Sequence, residues 1–316
     1  MRKNHLILIL LFVLLISFSL GVKQNVKAQS ANFEETIVLG EASWPGIQAK
    51  NAIVEKILEA IGYDVERTLI SMPLIYEALA GEEIDIWLGS WLPAQKSLRE
   101  EYSENYEFVR THLDEAYFIS AVPEYVYEAG VKSHSDLDDY AAKFNKKIYA
   151  GVPGSGSDEV ISRAIKNNIY GLGDWEKINA SWPATITQVE KKIKNEDWVV
   201  FPGWEPHWMN LVIDFKYLKD PKKIWGQAES KVDTIIRTGF KEDYPNLYKF
   251  LENFTVNSEM QSSWTYQLVK KNMDAQVLAK NWIKNNLKIT DSWLAGVKDK
   301  RGKRAAITLR EKMTED

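Results

Sequence analysis

Along this chain an apolar run repeatedly gives way to a loop and then to a helical pattern, and that repetition limits the fold more than any other feature. In TIVLGEASWPG a buried strand is expected from Thr36 to Leu39, leaving into a loop at Gly40. The following IQAKNAIVEKILEAI puts Ile47, Ile53, Ile57, Leu58 and Ile61 largely on one helical face, and Gly62 is a good stop. Val65 to Ile70 resumes a strand. A strand, a helix and a strand in that order predict a parallel sheet with right-handed crossovers. MPLIYEALAGEEIDIWLGSWLP repeats the pattern, with a helix ending near Gly81 and a strand from Ile84 to Leu88. KKIYAGVPGSGSDEVISRAIKNN reads as strand, Gly-rich loop and helix, and TITQVEKKIKNEDWVVFPGWEP as helix, strand and loop. The expected class is α/β.

In each unit the unusual residues follow the strand: Trp44, Trp91, the segment Pro153 to Gly156, and Trp204. Ligands of open α/β sheets bind beyond the carboxyl ends of the strands. These loops are therefore expected to converge on one crevice, formed between two domains. ASWPG at Ala42 and ASWPA at Ala180 echo each other, too briefly to establish a repeat. From about Tyr244 the chain reads as Lys-rich helices, with Trp264, Trp282 and Trp293 expected to pack on the sheet.

The first residues place the chain. Arg2 and Lys3 precede an apolar stretch from Leu6 to Leu20 and a small-residue exit at Val26-Lys27-Ala28. That order predicts a secretory signal peptide cleaved after Ala28. An uncleaved anchor is the alternative, although the stretch is shorter than the roughly 20 residues of a spanning helix. Removing residues 1–28 takes away four cations and no anions, moving the net charge from −4 to −8. Such an acidic chain is poorly suited to nucleic acid or anionic membranes. With no cysteine, disulfides, thiolate metal sites and a lipid-bearing cysteine are all excluded. About 288 residues remain, enough for two domains. A soluble periplasmic monomer is expected.

Several aromatic faces around one point bind a cation that water holds weakly, a quaternary ammonium above all, at about 0.5–2 kcal/mol per ring. Trp44, Trp91 and Trp204 share one topological position, and Tyr117 is the expected fourth wall. Singly, each would read as core. PGSGSDE opens a helix with free N–H groups that favour an anion, and Lys96 could reach the same anion as a point charge. A zwitterion has both ends. Catalytic readings fare worse: there is no metal-binding histidine spacing and no nucleophile elbow. A glycoside hydrolase using Glu205 and Glu41 in a Trp-lined cleft is the best of them. No cofactor or metal is expected.

The stretches GEASWPGIQAKNAIVEKILEAIGYDVE, EIDIWLGSWLPAQ, GVPGSGSDEV and above all GWEPHWMNLVIDFKYLKDPKKIWGQAE resemble the substrate-binding proteins of ABC transporters for glycine betaine, proline betaine, choline and carnitine. The resemblance implies a two-domain clamp, each domain a mostly parallel sheet flanked by helices, delivering a quaternary ammonium solute to a membrane permease. It implies that Trp44, Trp91 and Trp204 form a prism and that the Gly156 and Ser157 amides hold a ligand carboxylate. Such members can carry a histidine where this chain has Lys96. Tyr117 matches a fourth wall of choline-type members, which also place an Asp where this chain has Gly46. Choline is the alternative ligand. The implied layout is signal peptide 1–28, domain I over 29–115, domain II over 116–224, and a return to domain I over 225–316.

Overall fold

The computed structural model describes residues 36–225 and 229–315; the signal peptide expected over 1–28 lies outside them. The chain begins with β1 (Ile37–Glu41), α1 (Pro45–Ala60), β2 (Val65–Leu69), α2 (Met72–Ala80), β3 (Ile86–Leu92) and α3 (Lys96–Glu101). The long β4 (Tyr106–Pro123) leads to α4 (Glu124–Glu128), β5 (Lys147–Gly151), α5 (Gly156–Lys166), β6 (Glu176–Asn179) and α6 (Trp182–Lys194). Then come β7 (Phe201–Glu205), α7 (Met209–Val212), β8 (Phe215–Tyr217) and β9 (Glu229–Arg237). Helices close the chain: α8 (Phe240–Asp243), α9 (Pro245–Asn253), α10 (Ser258–Val269), α11 (Ala275–Asn285), α12 (Leu287–Trp293) and α13 (Ala305–Glu315).

The large sheet has the order β2-β1-β3-β9-β4-β7, with β8 also on β4, and β5 pairs with β6. Where helices cross over, strands are parallel as expected: β1 with β2 and β3, and β5 with β6. The rest is antiparallel, so the large sheet is mixed rather than mostly parallel. The physical reason is the path of the chain. It leaves the first half along β4 and returns beside it along β9, so these two neighbours must run in opposite directions. A backbone bond from Tyr149 N–H to the Val200 carbonyl, 3.1 Å, ties β5 to the segment entering β7.

Helix α1 shows why the sequence pattern was readable. Pro45 occupies its first turn, where the missing N–H costs nothing. Ile53, Ile57 and Leu58 are fully buried, each worth about 1.5–3 kcal/mol against exposure. Gly62 ends it at φ +100°, a conformation open to glycine. One core contains these residues, β1, β3 and the C-terminal helices; Trp264 and Trp293 are buried in it, and Trp282 stacks on Trp293 at 5.4 Å. A second core is drawn from Val126, Leu137, Phe144, Ile148, Trp175 and Val200.

One buried polar chain crosses the first core. Lys50 on α1 donates to the Leu88 carbonyl at 2.9 Å and lies 2.7 Å from His112 Nε2. The other ring nitrogen of His112 is 2.9 Å from Thr234 Oγ1. Burial pushes the Lys50 ammonium down to about 7 and holds His112 well below its usual range. Among the described residues no helix is long and apolar enough to cross a membrane.

Candidate functional site

Trp44 and Trp91 reach the site from the first β-α units. Trp44 is the extended residue just before α1, held by the Pro45 that starts the helix. Trp91 lies inside β3, which runs to Leu92, four residues past the expected end. The register of β3 against β9 shifts between Trp87 and Ser90. Gly89 sits at that irregularity, where a Cβ would stand 2.5 Å from the Trp87 ring. Trp87 is core and packs against Trp44 with ring centroids 5.6 Å apart.

Trp204 likewise lies within a strand, β7, opposite Phe118 of β4 in the antiparallel register. Asn210 donates to the Trp204 carbonyl at 2.8 Å and so fixes the turn that follows. His207 packs between Trp204 and Trp208, with centroids 4.5 and 5.1 Å away. Burial, with the nearby Lys270 charge, pushes this imidazole down to about 3, so it is neutral. The Lys270 ammonium stands 3.9 Å over the Trp208 ring and 2.5 Å from Glu190 Oε1.

Trp44, Trp91 and Trp204 line one cavity of about 40 Å³, together with Phe118 and Trp182. Phe118 is the junction. Its ring lies 6.2 Å from Trp91, 6.4 Å from Trp182 and 6.5 Å from Trp204, all at steep angles. Trp182 and Trp204 meet edge to face at 5.0 Å. The four tryptophans are each at most 8% exposed. No ionised side chain is among the described residues lining this cavity. Its polar wall is Gln95, Ser155 and the backbone of Gly156. Gln95 is already committed, accepting from Tyr76 and Trp87 and donating to the Gly89 carbonyl. The Ser155 hydroxyl is engaged as well, accepting from Asp158 N–H at 3.4 Å and standing 3.1 Å from Ser157 Oγ. The start of α5 thus forms this part of the wall, and a helix start favours a negative group. Neutral aromatic walls facing such a helix start suit a dehydrated cation carrying a short polar or anionic tail.

The loop that ends in Gly156 is held by Asp158. Its carboxylate accepts from Gly154 N–H at 3.0 Å, Lys177 at 2.5 Å and Asn179 at 2.8 Å. Burial opposes ionisation, but these donors outweigh it and hold the carboxyl below its usual range. Ser157 is buried, and its hydroxyl donates to the Ala150 carbonyl at 2.6 Å. It anchors the helix start on β5 and does not line the cavity.

Three expectations need correction. Tyr117 is not a wall: neighbouring residues of a strand point to opposite faces, and Tyr117 packs on Tyr217 at 4.9 Å while Phe118 enters the cavity. Lys96 is also outside the box. Its side chain is 68% exposed, 3.5 Å from Glu100, and lines an adjoining cavity. The hydrolase pair does not exist as a pair in the cleft. Glu205 accepts from Ser258 at 3.1 Å and Glu41 lies 3.3 Å from both Asn51 and Arg67; neither lines the cavity. Trp182, Phe118, Met72, Ala94 and Gln95 were missed. Only Trp182 carried a plain signal, the Ala-Ser-Trp-Pro it shares with Trp44.

Residues 35–285 match the family described as the substrate binding domain of ABC-type glycine betaine transport systems. A glycine betaine/carnitine transport binding protein of Listeria monocytogenes is 34% identical over 170 residues. That alignment spans 54% of this chain and 56% of the relative, little more than half its length. Among solved structures, an ABC-transporter choline-binding protein in complex with choline superposes with a TM-score of 0.85 at 28% identity, covering 88% of this chain and 98% of that one. The lactococcal OpuAC in its closed, glycine betaine-bound conformation gives 0.74 at 28% identity, covering 82% and 99%. The α/β fold is thus that of the two-domain binding proteins, and the chain belongs to the family of substrate-binding domains of ABC-type glycine betaine transport systems.

Proposed function

We propose that this protein captures a compact quaternary ammonium solute, glycine betaine, carnitine or a related compound, outside the cytoplasm and delivers it to the permease of an ABC importer. The family is one of extracytoplasmic binding domains rather than enzymes. The observation that carries the reading is the cavity walled by Trp44, Trp91, Trp182, Trp204 and Phe118, with no ionised side chain among its described lining residues. A methylated ammonium loses little hydration on entering such a box, and each ring face contributes about 0.5–2 kcal/mol. A carboxylate tail finds the start of α5 at Gly156, with Ser157 anchoring that turn. Choline, the ligand of one structural relative, is the second reading, since Ser155 and Gly156 suit a hydroxyl as well.

The clamp divides at β4 and β9: domain I over 29–115 and 225–316, domain II over 116–224. The second core, drawn from residues between Ile119 and Leu218 with Trp225 added at the boundary, supports that division. The mature protein is a soluble periplasmic monomer beginning after Ala28. The test is titration calorimetry of the chain lacking residues 1–28 against glycine betaine, proline betaine, carnitine and choline. At least one should bind with a Kd of about 1–100 µM, and none should be turned over. If no quaternary ammonium compound binds, the reading fails.

A further inference from the structure

Charge is unevenly spread along this chain. Seven cations and only two anions lie between Lys298 and Lys312, in a protein whose net charge is negative. Both anions are already engaged. The Asp299 carboxylate is buried, accepting from Arg301 N–H at 3.0 Å, Lys303 N–H at 2.8 Å and the Thr308 hydroxyl at 2.8 Å. Glu311 pairs with Lys303 at 2.5 Å. Lys298 and Arg304 are exposed and face each other in an antiparallel bridge. Neither side chain is in an ion pair among the described residues. The buried carboxylate thus fixes a loop that presents uncompensated positive charge.

Apolar surface lies among these cations. A cavity of about 450 Å³ is lined by Leu294, Val297 and Ile307 together with Lys298, Arg304 and Arg310. Its one carboxylate, that of Asp291, is the partner of Arg310. Ile307 on α13 is 39% exposed. Cations beside exposed aliphatic side chains suit the boundary of a bilayer, where lipid phosphates meet acyl chains. The position of the loop leaves the aromatic box clear. Lys300 N–H donates to the Ile61 carbonyl at 3.1 Å, at the opposite end of α1 from Trp44. With 16 residues, α1 puts about 24 Å between the two ends.

We infer that the loop from Lys298 to Arg304 and the adjoining face of α13 form a docking surface for an anionic lipid bilayer, keeping the binding protein close to the membrane that holds its importer. The inference rests on the extracytoplasmic reading above. The net charge of the whole chain disfavours such a surface, but its distribution reverses that at this end. Each cation close to the lipid adds about fivefold to affinity, and the repulsion of more distant anions is screened beyond about 10 Å.

The test sediments the chain lacking residues 1–28 with vesicles of phosphatidylcholine, alone or with about 30% phosphatidylglycerol, at about 50 and about 500 mM salt. At low salt the parent should bind the anionic vesicles at least about tenfold more tightly than the neutral ones, and high salt should remove the preference. Lys298→Gln/Arg301→Gln/Arg304→Gln should lower that affinity by about tenfold or more and flatten its salt dependence. Ile307→Ser should lower it by about three- to tenfold and leave the salt dependence as it was. Each variant should keep the glycine betaine Kd within about twofold, since the two sites are far apart. No preference for anionic vesicles, or a triple variant that binds like the parent, overturns the docking surface and leaves the box reading standing. An Ile307→Ser variant with the parent's affinity marks a contact open to any polyanion and overturns the bilayer assignment. Vesicle binding by a chain that binds no quaternary ammonium compound upholds the surface and overturns the box reading.

Discussion

Gly156 approaches the Ala94 carbonyl so closely that a Cβ on it would stand 2.1 Å from the oxygen. The contact joins the start of α5 to the turn after β3, and both residues line the aromatic box. The oxygen belongs to the backbone, so no flexible side chain can yield. Gly156→Ala should therefore force these segments apart. We expect binding of glycine betaine to weaken at least about tenfold, with a cost to stability of about 1–3 kcal/mol. Calorimetry and thermal unfolding of the same variant measure the two; unaltered affinity would show that the contact has no part in ligand capture.

The walls of the box should be separable from their neighbours. Trp182→Ala and Trp204→Ala should each weaken binding by roughly 1–3 kcal/mol, through loss of a ring face and its packing. Phe at either position should restore part of this. Phe118→Ala should cost as much, because four aromatic rings pack on it. Tyr117→Ala, one residue away, should cost far less affinity. Equal losses at 117 and 118 would contradict the alternation of β4.

Lys50 makes stability depend on pH. Its folded value is pushed by burial to about 7 from the usual 10.5, so between those values the unfolded chain binds more protons than the folded one. Stability must then rise with pH through that window, by at most about 1.4 kcal/mol per unit from this group. Below the folded value both states are protonated and the contribution is lost. Urea unfolding across the window, compared between the parent and Lys50→Met, checks this. The variant should show a shallower rise, and an identical slope would mean that Lys50 keeps its charge when folded.

Ligand should favour the closed clamp. With walls drawn from both of the proposed domains, a bound cation adds contacts only when they meet. Saturating glycine betaine should lower the radius of gyration in small-angle scattering and change tryptophan emission. Equal dimensions with and without ligand would argue against a hinge at β4 and β9.

Part of the candidate site was legible because three tryptophans share one position at the ends of strands, although each alone would read as core. Trp44, Trp91 and Trp204 were singled out that way, and the structure brings them to one cavity. What the sequence hid was finer. Tyr117 and Phe118 are adjacent aromatics, and which one faces inward depends on the register of β4, which a one-residue shift reverses. Trp182 was masked by the brevity of its Ala-Ser-Trp-Pro echo. Lys96 stands four residues beyond the end of β3, yet the turn carries it to the rim. Sheet direction was readable where a helix joins two strands. It was not readable for β4 and β9, whose pairing spans more than a hundred residues of sequence.

The absence of ionised groups among the described walls of the box has a consequence for the setting in which the protein works. Dissolved salt weakens attraction between charges in proportion to how far their fields pass through water. Rings pressed against a buried cation leave no such water between them. The grip of the box should therefore hold as brine thickens around the cell, while a pocket built on an exposed aspartate would loosen under the same conditions.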